Sequence, residues 1–244
     1  MVGISVIVPT YQESGYIGRL LNSLKSQDFK DFETIIADGG STDETAEIAR
    51  SYGCQVLVDP GLPEFPSLNR AAKIAKGSLL LFTAADAILP RETLAYLSKV
   101  MAEDGLKAAY CPVYPYDAPW WGRLEYAVWY ALSYVWYRTV GEANACTALF
   151  AVERRTFLDS GGFIDVYGGD SLLSRKLAQK VRVKPIQSLQ VPISARKMLR
   201  MGFMAYNRQN LTVPLDVFVP PLRATTFLNQ MKVRNHLNGY QRIR

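Results

Sequence analysis

The sequence predicts an α/β protein with a mostly parallel sheet flanked by helices, and two patterns in its first half support this prediction. Short apolar runs rich in β-branched residues alternate with longer segments whose apolar residues recur at helical spacing. Such alternation is typical of a parallel sheet in which helical crossovers cover both faces. The length of 244 residues, with 49% apolar and 20% charged residues, provides enough apolar side chains to bury that sheet.

Four strand–helix units are predicted in residues 1–106. The predicted strands are residues 4–8, 34–37, 55–58 and 78–82. The predicted helices are residues 16–24, 42–51 and 68–75, with a fourth that opens at Pro90. We expect this half of the chain to carry the ligand site, because such units place loops at one edge of the sheet.

A more mixed pattern follows in residues 107–193, which we assign to the same domain. The predicted strands and extended segments are residues 108–113, 145–152 and 184–193. The predicted helices are residues 120–138, 153–158, 171–179 and 194–206. The last of these opens a basic extension, residues 194–244, so the fold is expected to carry an aromatic and basic helical appendage.

The helix predicted at residues 120–138, WWGRLEYAVWYALSYVWYR, is apolar nearly all round. Trp and Tyr favour the interface between membrane and water, since their rings combine an apolar body with a polar tip. Burial against the sheet and a contact in a homodimer fit the pattern equally well.

Charge is distributed unevenly along the chain, whose net charge is +6. From residue 171 onward 14 Lys and Arg stand against one acid, Asp216, whereas residues 1–170 hold 14 basic and 21 acidic residues. The two parts therefore carry net charges of +13 and −7. A basic carboxyl-terminal third indicates an anionic partner, either ligand phosphates or anionic lipid. Nucleic acid is disfavoured, because no recognition motif or set of stacking aromatic residues accompanies the charge.

The cysteines and the single histidine limit the other classes of site. Cys54, Cys111 and Cys146 are widely spaced and His236 is the one histidine, which excludes a disulfide framework and an ordinary Cys/His zinc site. The sequence shows no signal-peptide pattern, and its longest apolar run, residues 126–137, is shorter than the about 20 residues that span a bilayer. We expect a cytoplasmic protein, with peripheral contact at the cytoplasmic face of the membrane as an open alternative.

Three carboxylates follow predicted parallel strands, namely Glu13, Asp38 and Asp86. In an open parallel sheet, ligands bind beyond the carboxyl ends of the strands, so we expect these three side chains at one edge. The sequence lacks GxGxxG after the first strand and lacks a P-loop, which disfavours two common phosphate sites. A nucleotide held through its base and ribose, with a divalent cation on its phosphates, fits better.

Four segments carry a resemblance to a known family. They are SVIVPTYQES (5–14), ETIIADGGSTDETAEIA (33–49), SLNRAAKIAKGSLLLFTAADAILP (67–90) and, more weakly, SGGFIDVYGGDSLLSRKLA (160–178). In this order and spacing they resemble an inverting glycosyltransferase of family 2 with the GT-A fold. The resemblance implies a nucleotide-sugar-binding half, residues 1–106, and an acceptor half, residues 107–193.

The resemblance also implies roles for individual residues. Those implied to bind the nucleotide-sugar are Pro9, Thr10, Tyr11, Glu13, Asp38, Gly39, Asn69, Arg70, Ala85 and Asp86. Asp86 matches the second acid of the DXD motif and would bind Mg²⁺ or Mn²⁺, and Asp170 matches the catalytic base. A carboxylate suits that role, because inversion requires removal of the acceptor hydroxyl's proton. Without the resemblance, Glu13 is equally a loop acid and Asp170 equally a helix N-cap.

A cluster of basic residues adds a further candidate. Arg196, Lys197 and Arg200 lie on the predicted helix 194–206 and either decorate its surface or bind a diphosphate or a phosphorylated acceptor. We include Arg196 among the candidate ligand-binding residues.

Two positions depart from the family's pattern, since Ala84 replaces the first DXD acid and Gly169 replaces the acid before the base. The predicted function is transfer of a hexosyl or N-acetylhexosaminyl group from a UDP- or GDP-linked donor. The predicted acceptor is a glycan or a polyprenyl-phosphate type of molecule, lipid-linked or at a membrane surface. The alternative is a catalytically degenerate GT-A protein that binds nucleotide-sugar without transfer.

Overall fold

Nine strands and eight helices lie in residues 3–103, 105–166 and 168–202, which are the residues that the computed structural model describes. The strands are β1 (Ile4–Thr10), β2 (Phe32–Asp38), β3 (Gln55–Val58), β4 (Leu79–Thr83), β5 (Ala108–Tyr110), β6 (Val113–Pro115), β7 (Leu149–Glu153), β8 (Val183–Pro185) and β9 (Val191–Ile193). The helices are α1 (Ser14–Lys25), α2 (Thr45–Ser51), α3 (Glu64–Ile74), α4 (Thr93–Glu103), α5 (Trp120–Val140), α6 (Arg154–Asp159), α7 (Gly169–Ala178) and α8 (Arg196–Met201). The four strand–helix units predicted in the first half are all present, within a few residues of their predicted bounds.

The central sheet has the strand order β3-β2-β1-β4-β7-β5-β8. Strand β1 pairs in parallel with β2 and β4, and β2 pairs in parallel with β3. Strand β7 runs antiparallel to both β4 and β5, while β5 and β8 are parallel. The predicted mostly parallel sheet is therefore confirmed, with one reversed strand near its middle.

Both faces of this sheet are buried, and the alternation of side chains along β1 shows why. Val6 and Val8 pack into the core under α1 and α4, whereas Ile7 packs with Ile35 and the α3 side chains on the other face. Successive side chains of a strand point to opposite faces, so a strand covered on both sides is apolar at nearly every position. Full burial of each such aliphatic side chain contributes about 1.5–3 kcal/mol.

The strand predicted at residues 108–113 is divided in the structure. Pro112 lies between β5 and β6, and proline has no N–H to donate to a sheet. Strand β6 consequently leaves the central sheet and pairs with β9 in a separate two-stranded sheet. The strand predicted at 145–152 begins only at Leu149, after a turn.

Helix α5 carries the predicted aromatic segment, and much of its apolar surface is exposed. Its outward stripe consists of Leu124, Val128, Leu132 and Val135, each 47–57% exposed. Burial of this stripe against the sheet, one of the sequence's alternatives, does not occur among the described residues. None of the described helices has the length and apolarity required to cross a bilayer.

The predicted basic helix 194–206 is α8, which ends at Met201. Gly202 follows it with φ +74°, a conformation that favours glycine. The rest of the predicted basic extension, residues 203–244 with Asp216 and His236, lies outside the described residues. The predicted boundary between residues 193 and 194 stays a prediction.

Candidate nucleotide-sugar site

The carboxyl ends of β1 and β2 meet at one edge of the sheet, where the sequence predicts the site. Thr10 ends β1 and lies opposite Asp38, the last residue of β2. The Thr10 hydroxyl donates to Asp38 Oδ1 over 2.8 Å. Asp86 follows β4, the other parallel neighbour of β1, so the parallel pairing places the loops that carry Glu13, Asp38 and Asp86 side by side.

Asp38 is fully buried and holds the turn that follows β2. Its Oδ2 accepts hydrogen bonds from the Gly40 N–H at 3.0 Å and the Ser41 N–H at 2.8 Å, while its Oδ1 accepts from the Ser41 hydroxyl at 2.6 Å. Gly40 has φ +86°, so this turn requires a residue that tolerates the left-handed region. Binding of base or ribose by Asp38 stays a prediction, and the described contacts of its carboxylate serve the turn and Thr10.

Arg196 joins the two remaining carboxylates of this edge. Its Nη2 donates to Glu13 Oε1, and its Nε donates to Asp86 Oδ2 over 3.0 Å. The guanidinium carbon lies 4.1 Å from the centroid of the Tyr16 ring, within the range of a cation–π contact. The Arg196 side chain is 20% exposed and those of Glu13 and Asp86 are each 14% exposed. Arg196 was predicted as a ligand-binding residue, and the structure brings it to the same edge as the acids.

The electrostatics of this cluster follow from burial and from the ion pairs. Burial raises the pKa of Glu13 and of Asp86, and the hydrogen bonds and charge of Arg196 oppose that rise. Burial lowers the pKa of Arg196, but its contacts with the two carboxylates more than offset this and raise it. Glu13 Oε2 is buried and has no hydrogen-bond partner among the described residues. The guanidinium is thus the group that compensates two desolvated carboxylates.

The donor set around Asp86 does not fit a resident divalent cation. Substrate phosphates and water can supply several of the oxygen ligands of Mg²⁺ or Mn²⁺, but Ala84, at the position of the first DXD acid, supplies no side-chain oxygen. Arg196 already binds both Asp86 and Glu13. Within the part of the chain that the structure describes, no group of three His, Cys, Asp or Glu side chains is placed to hold a metal. The metal-binding role of Asp86 stays a prediction.

Asp170 lies in the first turn of α7, where backbone groups orient its carboxylate. Its Oδ2 accepts from the Thr147 N–H at 3.0 Å and its Oδ1 from the Ser171 N–H at 2.9 Å. Desolvation by the surrounding protein raises the pKa of Asp170, against the effect of these N–H donors. Asp170 and Lys197, the neighbour of Arg196 on α8, both act electrostatically on Cys146. A carboxylate with a raised pKa is a stronger proton acceptor than one in water.

A family model described as glycosyl transferase family 2 matches residues 5–182. The chain belongs to glycosyl transferase family 2. Among its solved neighbours is the mannosyltransferase PcManGT from Pyrobaculum calidifontis, in complex with GDP-Man and Mn²⁺, with a TM-score of 0.71 at 24% identity. The alignment covers 91% of this chain and 65% of that one. The predicted GT-A fold is thereby confirmed.

Curated relatives of this family 2 chain match it over less than half of its length. The poly(ribitol-phosphate) beta-N-acetylglucosaminyltransferase TarS of Staphylococcus aureus is 41% identical over 103 residues, which cover 38% of this chain and 18% of TarS. A PGL/p-HBAD biosynthesis glycosyltransferase of Mycobacterium tuberculosis is 33% identical over 106 residues, or 41% of each chain. The chain therefore matches less than half the length of these relatives.

Gly169, one of the two departures from the family 2 pattern, has a packing explanation. A Cβ at this position would lie 2.3 Å from the Ile164 carbonyl oxygen and 2.9 Å from the Phe65 ring. Such distances require the neighbouring atoms to move, so the packing of this chain leaves no room for a side chain at residue 169. The sequence shows the departure but cannot show its cause, since Phe65 is distant along the chain.

The predicted donor-binding residues Asn69 and Arg70 hold neighbouring loops. Asn69 pairs with the backbone of Phe163, donating to its carbonyl at 2.8 Å and accepting from its N–H at 2.9 Å. Arg70 forms an ion pair with Asp59, whose side chain is 1% exposed. Contact of Asn69 or Arg70 with a donor stays a prediction, and both shape the loops beside the site.

The other predicted ligand contacts lie in the loops after β1, β2 and β4. Pro9 lies within β1, while Tyr11 follows that strand with its ring beside Gly39. Ala85 is buried next to Asp86. Direct ligand contacts by these residues stay predictions.

Three residues that position the site were missed at the sequence level. Tyr16 lies against the Arg196 guanidinium, and Gln12 Oε1 accepts from the Asp43 N–H at 3.1 Å, joining the loops after β1 and β2. Asp117 accepts from the Ser194 hydroxyl at 2.6 Å and from the Ala195 N–H, which fixes the start of α8. The sequence shows only that Asp117 is a polar residue before the aromatic helix. It does not indicate that Asp117 contacts Ser194 and Ala195.

Proposed function

We propose that the chain transfers a sugar from a UDP- or GDP-linked donor to an acceptor hydroxyl, with inversion at the anomeric carbon. The acceptor oxygen would form its bond to that carbon as the bond to the diphosphate breaks, and Asp170 would take the hydroxyl proton. The desolvated Asp170 carboxylate, oriented by the Thr147 N–H, is the observation that carries this proposal. The transferred group is proposed to be hexosyl or N-acetylhexosaminyl, since the relatives include a mannosyltransferase and an N-acetylglucosaminyltransferase.

The donor would bind at the edge formed by the loops after β1, β2 and β4. The crystallised neighbour PcManGT holds GDP-Man, and TarS has been solved in complex with UDP-GlcNAc. These complexes support a nucleotide-sugar as the donor class and leave both bases as candidates.

The first prediction is that one nucleoside diphosphate, UDP or GDP, binds with a Kd of about 1 μM to 1 mM. Isothermal titration calorimetry with both diphosphates and their common sugars measures it, followed by product analysis with candidate acceptors. Asp159→Ala is the control, because Asp159 is an exposed acid that forms its ion pair with Arg155 on the same helix. If neither diphosphate binds, with or without Mn²⁺, the proposed function is wrong.

A catalytically degenerate nucleotide-sugar-binding protein is the second candidate function. Ala84 and Gly169 favour it, because each removes an acid that the family's pattern contains. It differs from the first candidate in that donor binds without transfer to any acceptor. Under this alternative, Asp170→Asn changes no measurable rate.

We further propose that the acceptor of the sugar is lipid-linked or lies at a membrane surface, with the protein at the cytoplasmic face of the membrane. The exposed stripe of α5 (Leu124, Val128, Leu132 and Val135) provides apolar area, and Lys197 and Arg200 are exposed on α8. Apolar insertion combined with basic charge is the usual basis of peripheral membrane binding. A polyprenyl phosphate fits this arrangement, because its phosphate would contact the basic side chains and its hydrocarbon chain would contact the apolar stripe.

We predict that the protein sediments with vesicles that contain phosphatidylglycerol at low salt. Replacing Val128 and Leu132 together with serine should weaken binding about tenfold or more, because each apolar side chain loses its transfer free energy. The control is Ile74→Ser, which removes a similarly exposed apolar side chain from α3. If the wild type does not sediment and is instead a dimer that this double variant dissociates, α5 is a dimer contact and the membrane proposal is wrong.

A further inference from the structure

The position beside Asp86, where the family's pattern predicts a divalent cation, is occupied by a side chain of this protein. We propose that the Arg196 guanidinium replaces that cation, so that the donor's diphosphate is bound without metal. This inference rests on the proposed function, because it concerns the same donor site. It extends that function by specifying which positive charge faces the diphosphate.

Arg196 is held in place by contacts on several sides. It bonds to Glu13 and Asp86, which follow two different strands, and it lies over the Tyr16 ring. Asp117 fixes the residues just before Arg196 through the Ser194 hydroxyl and the Ala195 N–H. Contacts on several sides pre-organise the guanidinium, which lowers the cost of using it to bind a ligand.

The carboxylates near Asp86 are poorly suited to hold a metal. A metal at this position would have Asp86 as its DXD ligand, because Ala84 contributes no oxygen from its side chain. It would also have to displace Arg196 from Asp86 and from Glu13. Displacement would leave a 20% exposed guanidinium without its two carboxylates, which is strongly unfavourable for a partly buried charge.

The guanidinium of Arg196 has more hydrogen-bond donors than its bonds to the two carboxylates use. Arg carries five N–H donors in a planar fork, and the bonds to Glu13 and Asp86 use two of them. The remaining donors suit phosphate oxygens, which guanidinium groups bind in a bidentate manner. In the proposed complex, Arg196 would keep its two carboxylate partners and contact the diphosphate through these remaining donors.

The test compares the binding of UDP and GDP in EDTA with their binding in Mn²⁺. For the nucleotide that binds, we expect the wild-type affinities to agree within about twofold, and Arg196→Met to lose about tenfold to a hundredfold in EDTA, the usual effect of removing a charged hydrogen-bond donor. Arg155→Met, the same change at an exposed position of α6, should match the wild type. Arg196→Lys should lie between, since it keeps the charge and loses the fork.

A direct metal titration completes the test without nucleotide. Electron paramagnetic resonance of Mn²⁺ should show no binding to the wild type at concentrations up to about 1 mM, because Arg196 holds the carboxylates that a metal would need. Saturable Mn²⁺ binding that Asp86→Asn abolishes would overturn the inference, as would wild-type diphosphate affinity that increases about tenfold or more with Mn²⁺. Both of these outcomes leave the proposed function intact. Absence of diphosphate binding in both EDTA and Mn²⁺ overturns the two together.

Discussion

Asp170→Asn is expected to slow sugar transfer by about a hundredfold to ten-thousandfold while donor affinity stays within about twofold. Asparagine preserves the size of the side chain and accepts a hydrogen bond from the Thr147 N–H, but it cannot accept the proton of an acceptor hydroxyl. Steady-state kinetics should therefore show the loss in kcat, and calorimetry should show unchanged binding of the diphosphate. A rate within about threefold of the wild type would contradict the assignment of Asp170 as the base.

The raised pKa of Asp170 predicts how wild-type activity and stability change with pH. Wild-type transfer should rise with pH through the raised pKa of Asp170, because the base acts only when deprotonated. Stability should change in the opposite sense. The folded state holds the proton more tightly than the unfolded state, whose pKa is near the ordinary 3.8, so wild-type stability falls as pH rises through this window. Thermal unfolding at pH 4 and 8 should show that the wild type loses stability relative to Asp170→Asn.

Asp38→Ala is expected to lower the free energy of unfolding by about 3 kcal/mol, since several donors lose their acceptor at once. The Gly40 N–H, the Ser41 N–H and the hydroxyls of Thr10 and Ser41 all donate to this buried carboxylate. A loss of that size is a large share of the stability of an ordinary domain. Urea denaturation measures it, and Asp38→Asn should lose less because the amide retains one acceptor oxygen.

The exposed Asp159→Ala serves as the control and should change the free energy of unfolding by less than about 1 kcal/mol, as is usual for a surface ion pair. If Asp38→Ala is as stable as this control, the carboxylate does not hold the turn. A loss of nucleotide affinity without a loss of stability in Asp38→Asn would instead favour the contact with base or ribose that the family resemblance implies.

The sequence by itself determined the first half of the fold and the edge at which the acids lie. The strands β1 to β4 and helices α1 to α4 follow from hydrophobic periodicity, which depends on neighbours a few residues apart. The rule that parallel strands end at a common edge then places the loops of Glu13, Asp38 and Asp86 together. The two departures, Ala84 and Gly169, were also visible in the sequence.

The tertiary structure alone decided what the acids contact. Arg196 lies 183 residues from Glu13 and 110 from Asp86, so no local pattern indicates that one guanidinium serves both. The close approach of Ile164 and Phe65 to Gly169, and the exposure of the α5 stripe, likewise depend on how distant segments pack. Periodicity specifies which face of an element is apolar, whereas the partner of a charged side chain is set by three-dimensional packing.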